Sequence, residues 1–114
     1  MKLYIAVHDE VPDYMVPTMV AHSVIGAHLE FHENMPIYDE WLFKSFKKCV
    51  LRVNESEFNK IAAIDYCYLG HENTIQNGRK LCAIPLPTFN ELLPNVLRFA
   101  KLWKPKENNI NNES

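Results

Sequence analysis

The run Leu3–Val7, Leu-Tyr-Ile-Ala-Val, constrains this chain more than any other stretch. It has the length of a strand, and neither side of its period-two alternation is polar. A strand of this kind must be covered on both faces, as a central strand is when helices lie on both sides of its sheet. The other apolar patterns then have to supply that cover.

The first follows a short acidic loop holding Asp9, Glu10 and Asp13. Val16–His28 reads Val-Pro-Thr-Met-Val-Ala-His-Ser-Val-Ile-Gly-Ala-His and predicts a helix from about Pro17 to His32. Proline suits a first helical turn, where its missing N–H would have no intrahelical partner. Val20, Val24, Ala27 and Phe31 recur at three- and four-residue steps and form an apolar face. Ala21, Gly26 and Ala27 are small enough for another element to approach closely. Gly26 costs about 1 kcal/mol in a helix relative to alanine, which calls for a packing reason.

Asn34 and Pro36 mark a second helix start, with Trp41, Leu42 and Phe46 on its apolar side. Lys48–Val53 alternates as a strand. Asn54 and Glu57 stand at the spacing of a capping box, followed by the helical core positions Phe58, Ile61 and Ala62. Asp65–Leu69 and Lys80–Leu86 read as strands, joined by a polar connection with the turn dipeptide Asn77-Gly78. Thr88 and Glu91 repeat the capping-box spacing, although Pro94 interrupts the pattern. Val96, Phe99, Ala100 and Trp103 keep helical spacing to Lys104. The expectation is one α/β domain over residues 1–104, a mixed sheet of about four strands with helices on both faces. The tail 105–114 has little apolar content and is expected to be disordered.

Charge and cysteine usage narrow the function. Residues 1–43 carry one base against seven acids, a balance of −6; residues 44–114 carry eleven bases against seven acids, a balance of +4. The net charge of −2 does not describe a general nucleic-acid binder, but the split permits a local basic face. Cys49, Cys67 and Cys82 form no CxxC pair and read as buried free thiols in a reducing compartment, so a cytoplasmic protein is expected. No apolar run reaches the length of a membrane helix, and no membrane partner is expected.

Ala21-His22-Ser23-Val24-Ile25-Gly26-Ala27 is similar to the Ala-His-Ala-Ala-x-Gly-Ala segment of the archaeal and eukaryotic type of peptidyl-tRNA hydrolases. The resemblance can be followed from Lys2 to Trp103. Lys47-Lys48-Cys49-Val50-Leu51-Arg52-Val53 resembles that family's basic-led second strand. Leu69-Gly70 resembles its third-strand loop, and Leu81-Cys82-Ala83-Ile84-Pro85 its final strand. The resemblance implies the family's mixed-sheet fold and a connection with tRNA. The family's active-site pattern is altered. Met15 and Met19 stand where it has a lysine and a glutamine, Tyr68 where it has an acid, and His71 and Glu72 where it has arginine and threonine. Methionine brings neither a strong donor nor a charge to an ester carbonyl.

The function implied is binding without catalysis in tRNA or translation metabolism. The expected partners are tRNA, an aminoacyl-tRNA ligase or another translation protein, and a homodimer is compatible with the chain. The competing reading is a peptidyl-tRNA hydrolase with a rearranged site of His22, His71 and Glu72. A third is an interaction module unrelated to RNA. The basic positions Arg98, Lys101 and Lys104 on the last predicted helix are the candidate contacts for phosphate or an acidic partner. His28 and His32 stand four apart, a spacing metal ligands use, but Leu-Glu-Phe between them is not the His-Glu-x-x-His motif. They read as an exposed polar helix end, and no metal or cofactor is expected.

Overall fold

The structure, a computed structural model, describes residues 1–73 and 76–106. Its chain order is β1 (Lys2–His8), α1 (Val16–Phe31), α2 (Pro36–Glu40), a π-helical turn (Trp41–Ser45), β2 (Lys47–Val53) and α3 (Glu55–Ala62). There follow β3 (Cys67–His71), β4 (Lys80–Pro85), α4 (Asn95–Arg98) and β5 (Lys101–Leu102). The five strands form one mixed sheet in the order β3-β4-β1-β2-β5. The apolar run at the start of the chain is its central strand, parallel to β2 and antiparallel to β4.

Both faces of β1 are covered, as its composition requires. Leu3, Ile5 and Val7 pack with Val16, Met19, Ala27 and Phe31 of α1 and with Tyr38 and Trp41. On the other face Ala6 packs with Leu51, Val53, Phe58, Ile61, Ala83 and Leu97, which brings α3 and α4 against the sheet. The alternation predicted for β2 holds, with Leu51 and Val53 buried on the α3 side. Asn54 and Glu57 make the expected capping box, each side chain accepting from the other residue's backbone N–H at 2.8 Å.

The buried stripe of α1 is Val16, Met19, Ser23, Ala27 and Phe31; Val20 and Val24 flank it half-buried. The stripe is turned by about one position from the apolar spacing because small residues meet β3 closely. A Cβ on Gly26 would overlap the hydroxyl of Tyr68, and one on Gly70 would overlap the side chain of Ser23. This close approach is the packing reason that Gly26 calls for.

Several expectations are corrected. The sheet has five strands, not about four. The third strand begins at Cys67 rather than Asp65, because Tyr66 takes a left-handed backbone (φ 60°) in the turn after α3. The last helix does not run to Lys104. Pro94 has an extended backbone and acts as the N-cap, only Asn95–Arg98 is helical, and the chain then turns to pair with β2. The edge of β2 offers unpaired backbone groups, and β5 takes them, with the Trp103 amide donating to Val50 O at 2.8 Å. Thr88 caps no helix either; it bridges to Lys2 at the sheet. The Asn77-Gly78 pair does supply left-handed backbone, with φ 56° and 78°, between two antiparallel strands. The expectation for the tail lies outside the described residues from 107 onward.

Candidate functional site

The three histidine and glutamate positions singled out from the sequence come together. α1 carries His22 on its solvent side, β3 ends at His71, and Glu72 follows in the loop. His22 Nε2 and Glu72 Oε1 are 3.2 Å apart, the histidine side chain 56% exposed and the glutamate 18%. With Tyr68, Gly70, His71 and Asn73 they line a cavity of about 290 Å³. A second depression of about 380 Å³ adjoins it along β3, sharing Tyr68 and His71 and adding Glu30, Cys67, Leu69 and Lys80. Together they make a polar groove between α1 and the edge strand. A histidine paired with a carboxylate can accept and return a proton.

Two of the positions where the resemblance expects polar groups do not line the groove. Met19 is fully buried in the core and Met15 packs against it. The Tyr68 ring lies over Gly26, so its phenol fills the space beside α1. Ser23, on the same helix face, is fully buried with its hydroxyl against Gly70. The two neighbouring thiols are poor nucleophiles. Burial pushes Cys67 up to about 12, and burial does the same to Cys82 against a smaller opposing effect of Ser23.

The basic positions Arg98, Lys101 and Lys104 do not share a helix face. Arg98 ends α4 and donates to Leu93 O at 3.0 Å. Lys101 lies in β5 beside a cleft that also holds Asp9, Arg52, Asn54 and Glu57. Lys104 lies beyond the strand, where its carbonyl accepts from Arg52. A cleft holding carboxylates of both Asp9 and Glu57 is a poor phosphate site. The acidic loop is also tied down. Asp13 pairs with Arg52 at 3.1 Å, and Glu10 with Arg79 at 2.7 Å.

Two further constellations lie outside the groove. At the carboxyl end of β1, the buried His8 accepts the Glu10 backbone N–H at Nδ1 (3.0 Å), so Nε2 carries the proton and donates to Glu55 Oε1 at 2.6 Å. The bond from His8, helped by Arg79, holds the Glu55 carboxyl below its ordinary range. Donor atoms of His8, Glu10 and Glu55 lie within 4.8 Å of one another, close enough for a metal ion. The Arg79 guanidinium already bridges both carboxylates, at 2.7 and 2.9 Å, and the tautomer of His8 points an N–H at the position. This cluster is a structural lock. The only hint of it in the sequence is a histidine closing an otherwise apolar strand.

The other constellation is the pair His28 and His32 at the polar end of α1, both half-buried. Their rings stack at 4.8 Å, and both use Nδ1 on α2: His28 with the Tyr38 hydroxyl at 2.9 Å, His32 with Asp39 Oδ1 at 2.7 Å.

Comparison with protein-family models gives no match, and comparison with curated proteins gives none either.

Proposed function

We propose that the protein acts by binding, without catalysis, in tRNA or translation metabolism, with an aminoacyl-tRNA ligase or tRNA as its partner. A small phage protein that modifies a host valyl-tRNA ligase is the specific case that fits the chain's size, its resemblance to peptidyl-tRNA hydrolases and its altered motif. One observation carries the reading. Where the resemblance expects a lysine, a glutamine and an acid around an ester carbonyl, Met15 and Met19 are packed into the core and the Tyr68 phenol lies over Gly26. Thioethers supply no charge and no donor to a developing oxyanion.

An exposed apolar face adds support for a protein partner. Ile25 and Leu29 lie one turn apart on α1 and are 62% and 75% exposed; Phe43 and Phe46, from the π-helical turn and its end, are 73% and 53% exposed. Exposed apolar patches of this kind mark interaction surfaces on soluble proteins.

The second reading, a hydrolase with a rearranged site, draws on the His22–Glu72 pair in the groove. Release of peptide from a peptidyl-tRNA analogue separates the two readings. Binding alone gives no release above background. Turnover that is lost in His22→Ala and in Glu72→Gln would establish the hydrolase instead. Affinity capture from a host lysate, with and without RNase, tests the partner. Recovery of an aminoacyl-tRNA ligase after RNase treatment is the expected result, and loss of every translation component would defeat the proposal.

A further inference from the structure

We propose that the apolar recess between α1 and the π-helical turn takes one face of an acidic amphipathic helix from a partner protein. The inference rests on the reading that this protein acts by binding another. Val24, Ile25, Tyr38, Trp41, Leu42 and Phe46 wall a cavity of about 240 Å³, together with His28 and Lys48. The walls continue into exposed apolar surface. Leu29 stands one turn beyond Ile25, and the exposed Phe43 packs edge-on with His32, which stacks on His28.

The local backbone holds this surface in place. Trp41–Ser45 forms the π-helical turn, and Phe46 closes it with a left-handed backbone, φ 56°. A bulky residue at positive φ is an outlier, and such outliers persist where their surroundings fix them. Here the fixing contacts are the Trp41 ring at 5.4 Å and the Lys48 ammonium. That ammonium lies 3.3 Å from the Phe46 ring centroid and donates to Phe46 O at 2.8 Å. Trp41 is anchored in turn, its Nε1 donating to Lys47 O at 2.7 Å. The Phe46 ring is thereby set at the cavity wall while half of it stays exposed.

The surrounding charge selects the occupant. Lys44, Lys47 and Lys48 follow Phe43 and Phe46 in the chain, all three are exposed, and none has an ion pair among the described residues. Acidic side chains on a partner would pair with them, and complementary charge around an apolar centre speeds association and fixes register. The cavity suits an anchoring side chain, since small-molecule sites run from about 300 to 1,000 Å³. Its apolar walls come from α1, α2 and the π-helical turn, not from a strand edge. An extended segment would find no ladder of N–H and C=O groups there, whereas a helix arrives with its own backbone already bonded. A lipid surface has no side chain to fill a recess with fixed aromatic walls.

Fluorescence anisotropy of a labelled peptide on the intact chain tests the proposal. The probe has about 18 residues, long enough to hold a helix, with Leu and Trp along one face and Glu elsewhere; its twin carries Lys in place of every Glu. The Glu peptide should bind saturably, one per chain, and at least about tenfold more tightly than the twin. Ile25→Ser, and Phe46→Asn, which suits the left-handed backbone, should each weaken it by at least about tenfold. Lys44→Glu with Lys47→Glu should weaken it by about tenfold, chiefly through slower association. Leu92→Ser, at the separate apolar cavity beside α4, should leave it unchanged. Equal binding of both peptides, loss in Leu92→Ser, indifference to Ile25→Ser and Phe46→Asn, or no saturable binding overturns the proposal. So does a dimer of the chain that Ile25→Ser dissolves, since a second copy is then the occupant, and so does pelleting with phosphatidylserine vesicles that the same variant abolishes. Capture of the aminoacyl-tRNA ligase separates this inference from the reading beneath it. Capture by the parent and equally by Ile25→Ser leaves that reading standing and overturns this surface. Peptide binding without capture keeps the surface and defeats the ligase as partner.

Discussion

Replacing Gly26 with alanine should destabilise the protein, although helix propensity alone predicts the opposite. Alanine in a helix interior is favoured over glycine by about 1 kcal/mol. At this position a Cβ would overlap the hydroxyl and Cζ of Tyr68 and stand 3.0 Å from Cε2. A tyrosine ring cannot fold aside as a lysine can; it must swing away from α1 as a rigid plate and give up its packing. Overpacking of this kind costs about 1–3 kcal/mol. The steric cost outweighs the gain in propensity, and the net loss should be about 1 kcal/mol, or about 4–8 °C in melting temperature for a chain of this size. Tyr68→Ala removes the obstacle. In that background Gly26→Ala should stabilise by about 1 kcal/mol, so the two changes couple by about 2 kcal/mol, within the range seen for residues in contact. Urea unfolding followed by circular dichroism measures all four members of the cycle. If Gly26→Ala stabilises the parent protein, or if the two changes add within about 0.5 kcal/mol, the close approach of Tyr68 to α1 is not what demands the glycine.

Asn54→Ala breaks the capping box of α3 and should cost about 1 kcal/mol, read from the shift in urea midpoint. Asp13 is held below the ordinary carboxyl range, first by the Lys106 backbone N–H and then by Arg52, and Glu55 by His8 and Arg79. Carboxyls lowered in the folded state stabilise it above their unfolded range and lose that contribution as pH falls through their folded values. Melting temperature should therefore fall as the pH drops below the ordinary carboxyl range, about pH 4, less steeply in Asp13→Asn with Glu55→Gln. The thiols of Cys67 and Cys82, both pushed up to about 12 chiefly by burial, should resist a thiol reagent at pH 8 in the folded protein and react once guanidinium unfolds it.

The elements legible in the sequence are those whose signal is local. β1 has apolar residues on both faces and lies at the centre of the sheet. Asn54 and Glu57 cap α3 from within four residues of each other. The elements that the sequence disguises depend on distant partners. Val96, Phe99 and Trp103 keep helical spacing, yet Phe99 is 75% exposed and Trp103 lies under the Arg52 guanidinium at 4.8 Å. The free edge of β2 claims this segment as a strand, and nothing within the segment announces that edge. Tyr66 is a similar case. A tyrosine at positive φ is rare, so the aromatic run from Asp65 reads as strand two residues too early.

The candidate site divides along the same line. His22, His71 and Glu72 are singled out through the resemblance, and they line one cavity. The His8 lock is not legible, since Glu55 and Arg79 lie 47 and 71 residues further along the chain. Nor does the charge split about residue 43 survive folding as two opposed faces. Arg52 and Arg79 come from the basic part and pair with Asp13 and Glu10 of the acidic loop. These contacts neutralise the two regions where they meet, at the carboxyl ends of the parallel strands. A tally along the sequence cannot see this, because opposite charges separated in the chain are those that folding can bring together. Among the apolar side chains that stay exposed are Ile25, Leu29, Phe43 and Phe46. A protein surface recognised through those side chains should hold its affinity at high salt, where a complex resting on phosphate contacts would weaken steeply.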